Sequence, residues 1–318
     1  MSLQIKQLPQ DKPVQLAGGV VLSLPNDVAQ LDQYLTNTYP LVTSRDAPLV
    51  AAVQSLTAAA ITRTVYNTTD QRISAPTDPI VASIAALFGP DPGPSAPLSQ
   101  RAILAGCGGR HGFPSVVCGS VARIINSSSL WGMGAVVSSS GSINVDDLSA
   151  RVGMTPTGPL ADTEGRTHTP HVLFLPSVLT LGRMEPEPLQ RLLAAVLGCQ
   201  YCVGAVVSIE SRVLLAFGVV GSQLLCVDPH VVAPLADVPF TLRNTADLDG
   251  QVLLAMVVTN DEDIVGLTRL IDTTVQSLLP VGPPVGFTSH VLTSDAGDEG
   301  AMDLDTNAGP SKQRALLF

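Results

Sequence analysis

The chain has 318 residues, a formal net charge of −10, and a composition that is 45% hydrophobic and 14% charged. The acidic balance excludes a nucleic-acid binder, since phosphate recognition needs a basic face and no run of Lys or Arg supplies one. Mean hydropathy is +0.33, yet no stretch reaches the roughly 18 apolar residues a bilayer span requires; the longest, Val213 to Val227, is broken by Gly218, Gly221, Ser222 and Gln223.

Residues 1–25 read as a lead-in with one short apolar piece, Val20 to Leu24. Their first fifteen residues hold no apolar core and no Arg-rich amphipathic pattern, so no signal or transit peptide is expected. Asn26 or Asp27 is placed to cap a helix through Val28, Leu31 and Leu35, which Pro40 stops. A second, Ala-rich helix is predicted from Asp46 or Ala47 to about Val65, with Pro48 at its start. A short helix over Ile80 to Phe88 precedes a Pro-rich loop at about 89–99. Gly106 to Gly112 reads as a Gly-rich turn, and Pro114 opens a helix through Val121 and Ile125.

A strand is predicted at Ala135 to Ser138, followed by a Ser/Gly turn and a helix with Asp146 and Asp147 in its first turn, where acidic side chains suit the helix dipole. Thr155 to Thr169 reads as a loop. Strands follow at His171–Leu175, Val203–Ile209, Val213–Val219, Gln223–Val227 and Val252–Val258, with helices at Glu187–Leu197 and Asp261–Leu279. Adjacent apolar strands between helices imply a mixed α/β domain with a covered sheet. Beyond about Phe287 the acidic, Gly-rich residues 288–318 bury too little apolar surface to offset ordering and are expected to be disordered.

The strongest candidate for chemistry is Leu224-Leu225-Cys226-Val227-Asp228-Pro229-His230, an apolar strand ending in a carboxylate and an imidazole two residues apart. The proline holds Asp228 extended. Side chains at i and i+2 on extended backbone share a face, from which an imidazole activates a nucleophile and a carboxylate orients the ring. Asp and Pro are also common at strand ends, so the spacing alone favours an ordinary turn.

The surrounding sequence resembles the autophagins, cysteine proteases that process ubiquitin-like autophagy modifiers. The run from Gly218 to His230 is similar, without a gap, to that family's G-x-V-G-x-x-L-x-x-x-D-P-H pattern. Weaker likenesses are Val172 to Gly182, Val203-Gly204, Leu248-Asp249 to Asp263, and Gly112-Phe113-Pro114-Ser115, so the resemblance covers about residues 110–280. It implies a papain-like fold of class α/β (α+β), with a mixed or antiparallel central sheet flanked by helices. It also implies a peptidase domain over 26–287, with Asp228 and His230 at the catalytic Asp and His positions.

The nucleophile is missing. The family's Gly-Trp-Gly-Cys run is similar in place to Tyr39 through Val50, where no cysteine occurs, and Val50 falls roughly where the sulfur belongs. The family's oxyanion tyrosine falls near Leu35, beside Tyr34, and its cleft-covering tryptophan near His111. Without a thiolate the imidazole has nothing to activate. The resemblance thus implies a catalytically inactive pseudo-peptidase, a structural or protein-binding subunit of an intracellular assembly, cytoplasmic by default, with a ubiquitin-like protein among its expected partners. The alternative is an active cysteine peptidase using Cys107 or Cys118 as nucleophile; a third reading is an unrelated α/β protein sharing the Asp-Pro-His turn by chance.

The five cysteines, Cys107, Cys118, Cys199, Cys202 and Cys226, are odd in number and sit in apolar stretches, as buried thiols of a reducing compartment do. His168-x-x-His171 with Cys199-x-x-Cys202 offers four zinc-type ligands, but His171 opens a strand and the cysteines close an apolar helix, so no metal or other cofactor is expected. Gly106-Cys107-Gly108-Gly109 lacks the Lys-Ser/Thr of a phosphate loop. Trp131 reads as core or interface.

Overall fold

The strands of this chain are apolar on both faces, which requires helices above and below them. The computed structural model describes residues 12–23, 27–39, 47–65, 79–89, 93, 95–128, 132–138, 142–154, 168–180, 186–230, 240–248, 251–275 and 286–288. It is mixed α/β, a mixed sheet flanked by helices. The strands are β1 (Val14–Leu16), β2 (Val20–Leu22), β3 (Gly134–Val137), β4 (Ser142–Asn144), β5 (His171–Thr180), β6 (Cys202–Ile209), β7 (Arg212–Val220), β8 (Gln223–Val227), β9 (Phe240–Asn244), β10 (Gln251–Val258) and β11 (Gly286–Thr288). The helices are α1 (Val28–Thr38), α2 (Pro48–Val65), α3 (Pro79–Ala86), α4 (Gln100–Cys107), α5 (Pro114–Ser128), α6 (Val145–Val152), α7 (Pro186–Leu197) and α8 (Asp261–Leu270), which continues into a π-helical turn, Ile271–Val275.

The main sheet runs β2-β1-β7-β6-β10-β5-β3, with β8 on the other edge of β7 and β9 outside β8. Only β3 and β5 pair in parallel there; the other neighbours are antiparallel. β11 and β4 form a separate parallel pair. Strand alternation splits the core in two. Val172, Phe174, Val206, Leu215, Leu225 and Val227 face the layer holding α1, α2, α4 and α5. Their neighbours Leu173, Leu175, Val207, Leu214, Leu224 and Cys226 face α6, α7 and α8.

Several elements depart from the sequence reading. Residues 14–22, read as lead-in, supply β1 and β2, and β1 pairs with β7 through Gln15↔Val219 and Leu16↔Gly218. The Gly-rich turn begins late: α4 runs through Gly106 to Cys107, capped by Ser99, whose hydroxyl accepts from the Ala102 amide, and closed by Gly108 at φ +55°. The helical position of Gly106 requires glycine, because a Cβ there would lie 2.0 Å from the Ser120 hydroxyl. Asp27 precedes α1 but does not cap it; its carboxylate instead accepts from the Ser23 amide at 2.6 Å. β4 arises where a turn was expected, and β9 went unread. The predicted tail lies outside the described residues except for Thr288, as do Trp131, Pro40, Asp46 and residues 276–279 of the last helix.

Among the described residues no helix is long and apolar enough to cross a membrane.

Candidate functional site

Asp228, Pro229 and His230 leave the carboxyl end of β8 directly after Val227, which is fully buried. The Asp228 carboxylate accepts from both the His230 amide (2.9 Å) and the His230 ring at Nδ1 (2.6 Å). One oxygen thereby fixes the turn and the imidazole together. With Nδ1–H committed to the carboxylate, Nε2 is the nitrogen left to act as acceptor. The side chains of His230 and Asp228 are 39% and 26% exposed, so the pair sits at the surface end of the strand. An Asp–His pair so arranged can orient an imidazole as a general base; it needs a nucleophile within reach.

Register shows where Val50, the position expected of the nucleophile, lies relative to this pair. In α2, Leu56 lies over Gly204, and Arg63 donates to the Cys202 carbonyl at 3.2 Å, so the helix runs antiparallel to β6. From Leu56 back to Val50 the helix rises about 9 Å, close to three strand residues, which sets Val50 about level with Val207. Val207 pairs with Leu214, and Val227 pairs with Leu215, so Asp228 follows at that same level. The amino end of α2 and the Asp-Pro-His turn therefore share one end of the sheet, offset by two strand spacings, about 10 Å, measured in its plane. Val50 itself is fully buried in the core on the α2 face, in the same apolar cluster as Val227 and Phe240.

The remaining predicted positions do not gather there. Leu35 is buried, and the buried Tyr34 hydroxyl donates to the Ala17 carbonyl at 2.8 Å, so it braces β1. His111 is exposed in the turn between α4 and α5. Cys107 and Cys118 are buried on α4 and α5, and α5 packs over β3 and β5. Four strand spacings, about 19 Å, separate β5 from β8. Burial pushes both thiols up from the ordinary range, and Cys118 is raised further by its neighbour Cys107. Cys226 points to the α7 face and is held up at about 12, burial outweighing the favourable charge of Arg243. Burial likewise raises Cys199 and Cys202. Thiols raised in this way are protonated at neutral pH and are poor nucleophiles.

His171 and Cys202 open β5 and β6, which flank β10, about 10 Å apart. Among the described residues no group of three or more His, Cys, Asp or Glu is arranged to hold a metal ion. The His171 ring is packed against Gly134 and bonded through Nδ1 to the Thr169 carbonyl at 2.9 Å. Burial is the main cause that lowers its pKa from the ordinary 6.5, partly countered by that carbonyl. A depressed folded-state pKa means that the unfolded chain binds the proton first. Stability is accordingly full above pH 6.5 and falls as pH drops towards the folded value. Urea midpoints measured between pH 8 and 5 should show this fall, and His171→Gln should remove its contribution; an unchanged profile in the variant would exclude His171 as the source.

Because the Asp228–His230 pair is partly solvated, it contributes little to the fold. His230→Ala should shift unfolding free energy by less than about 1 kcal/mol. A loss of several kcal/mol in a urea melt would show the pair to be a structural brace instead.

Sequence reasoning missed β9 and its Thr241 and Arg243, although Phe240-Thr241-Leu242-Arg243-Asn244 alternates apolar and polar as a half-buried strand does. No protein-family model matches the chain, and no curated protein matches it.

Proposed function

We propose that the protein is a pseudo-peptidase of the autophagin type, with a papain-like helix-on-sheet arrangement, and that it works as a protein-binding or structural subunit of an intracellular assembly. One observation carries this reading: Val50, buried and apolar, stands level with the paired Asp228 and His230 where a sulfur would be required. The Asp–His pair has the hydrogen bond a relay needs, and Val50 offers no sulfur for it to activate. The proposed partner is a ubiquitin-like protein whose extended tail lies between the amino end of α2 and the turn after β8. The high apolar content and the presence of only three lysines, Lys6, Lys12 and Lys312, suit a chain that shares surface with neighbours.

The competing reading, an active peptidase using Cys107 or Cys118, draws no support from thiols that are buried and protonated, Cys118 on a helix that packs over strands about four spacings from β8. Alkylation with iodoacetamide, followed by intact mass, separates the two. The folded chain should take up no label that depends on His230, and all five cysteines should react in urea. Selective labelling of one cysteine in the folded protein, abolished by His230→Ala, would overturn the proposal.

A further inference from the structure

Cys199-Gln200-Tyr201-Cys202 joins the end of α7 to the start of β6, and its two thiols take no part in the site after β8. The Cys202 amide donates to the Cys199 carbonyl at 3.3 Å and closes the four residues into a turn. In such a turn the first and last Cα lie within about 7 Å of each other, and a disulfide spans about 4.4 to 6.8 Å. Both side chains go the same way: Cys202 belongs to the apolar cluster that faces α7, and Cys199 packs against that cluster. The Cys199 sulfur lies beside the amides of Tyr201 and Cys202, which sets it back over the turn towards its neighbour. The turn is also well seated. Gln200 lies against Gly19 of the β1–β2 turn, the Tyr201 hydroxyl lies over Gly266 of α8, and the Tyr201 carbonyl accepts from the Val257 amide at 2.9 Å. Exposure separates the two thiols. Cys199 is the one cysteine of the five that is not buried, whereas Cys202 is fully enclosed. The Cys202 sulfur accepts from the Gly204 amide at 3.3 Å, and its S–H donates to the Gly204 carbonyl at 3.6 Å.

We propose that Cys199 and Cys202 form a dithiol modification site, which a peroxide converts to an intramolecular disulfide. The partly exposed Cys199 reacts first: its sulfur attacks one peroxide oxygen, the O–O bond breaks, and a sulfenic acid and one water result. The Cys202 sulfur then attacks the Cys199 sulfur, the S–O bond breaks, and the S–S bond forms as a second water leaves. The two thiols give up two electrons and two protons, and the peroxide takes both and becomes two waters. No reagent has to reach Cys202, because only its neighbour addresses it. Burial pushes both thiols up, opposed at Cys199 by the two amides and by the charge of Arg63, so oxidation at neutral pH is slow. It also takes the S–H away from the Gly204 carbonyl, at the irregular position where β6 meets β10. The site does not depend on the pseudo-peptidase reading. Cys202 opens β6 five residues before Val207, which stands level with Asp228, about 17 Å along the strand.

Trypsin leaves both cysteines on one peptide, because neither Lys nor Arg lies between Arg191 and Arg212. The folded full chain is treated with hydrogen peroxide, unfolded and alkylated with iodoacetamide in urea, digested and weighed. That peptide should have lost two hydrogens and carry no alkyl group, and dithiothreitol before alkylation should restore both thiols. Cys202→Ser should halt the reaction at the sulfenic acid, which dimedone captures at Cys199. Cys199→Ser should slow oxidation of Cys202 by about tenfold or more, since that thiol is then both buried and alone. The exposed Met154 reports that peroxide was sufficient, by becoming a sulfoxide. Two alkyl groups on the peptide once Met154 is oxidised, a disulfide from either cysteine to a third, or equal oxidation of Cys202 in Cys199→Ser would overturn the assignment. Should a variant fail to fold, the peptide from the unaltered chain still decides it.

Discussion

Gly204→Ala should lower the unfolding free energy by about 3 to 5 kcal/mol. Gly204 adopts φ +136°, a conformation that side chains rarely accept. A Cβ there would lie 2.8 Å from Leu56 Cδ2, 3.0 Å from the Tyr39 hydroxyl and 3.2 Å from the Ala216 carbonyl oxygen. It would meet the helical layer above and a neighbouring strand at once. The position also sits at the irregularity between β6 and β10, where Ala255 pairs with Gly204 but Met256 pairs with Cys202. Cys202 Sγ accepts from the Gly204 amide at 3.3 Å, and the buried Tyr39 hydroxyl donates to the Val203 carbonyl at 2.6 Å. Alanine thus adds backbone strain to overpacking under α2, and neither can relax without moving the helix. Urea denaturation checks the value. In a double-mutant cycle, Leu56→Ala should recover part of the loss, because it removes one of the atoms met. A change within about 1 kcal/mol of the unaltered protein would show that α2 is not seated on this glycine.

The second expected result concerns chemistry. Cysteine placed singly at Ala47, Pro48, Leu49 and Val50 scans one turn at the amino end of α2. At one of these positions the new thiol should react with iodoacetamide at pH 6 some 30-fold or more faster than an ordinary thiol. His230→Ala should cancel most of that gain. The reason is physical: a helix amino terminus and an adjacent imidazolium both favour the thiolate, and each unit of pKa depression raises the thiolate fraction about tenfold. The five native thiols give little background, since four are buried and Cys199 is nearly so with its pKa raised. The comparison with His230→Ala isolates the imidazole from the helix terminus, which both variants keep. If none of the four cysteines responds to loss of His230, the turn after β8 and the start of α2 do not form one site, and the pseudo-peptidase reading fails with it.

Much of the fold was legible because its signals are local. The hairpin β6–β7–β8 announces itself through apolar runs broken at Glu210-Ser211 and Gly221-Ser222, and the structure places positive φ at Glu210, Ser211 and Gly221. Pro48 and Pro114 mark the first helical residues of α2 and α5. Misreadings arose where tertiary contacts decide. Gly106 signals a turn by propensity, yet it lies inside a helix, where glycine is needed because Ser120 leaves no room for a side chain. β1 and β2 are three residues each, too short for periodicity to reveal, and they persist because β7 supplies an edge. At the candidate site, the spacing of Asp228 and His230 foretold their pairing, which needs only neighbouring backbone. The opposition of Val50 to that pair depends on how α2 crosses the sheet, which no local pattern encodes.

The short hairpin near the amino terminus has a temporal consequence. Gln15 is hydrogen-bonded into a strand whose matching residue, Val219, is translated about 200 residues later, an interval of tens of seconds on a ribosome. Through that interval Val14, Leu16, Val20 and Leu22, all buried once folding is complete, have no sheet to join. Nascent chains of this protein thus carry a sticky early segment until the strand that pairs with it emerges, and shielding by a chaperone during synthesis matters more here than for a fold assembled from neighbouring segments.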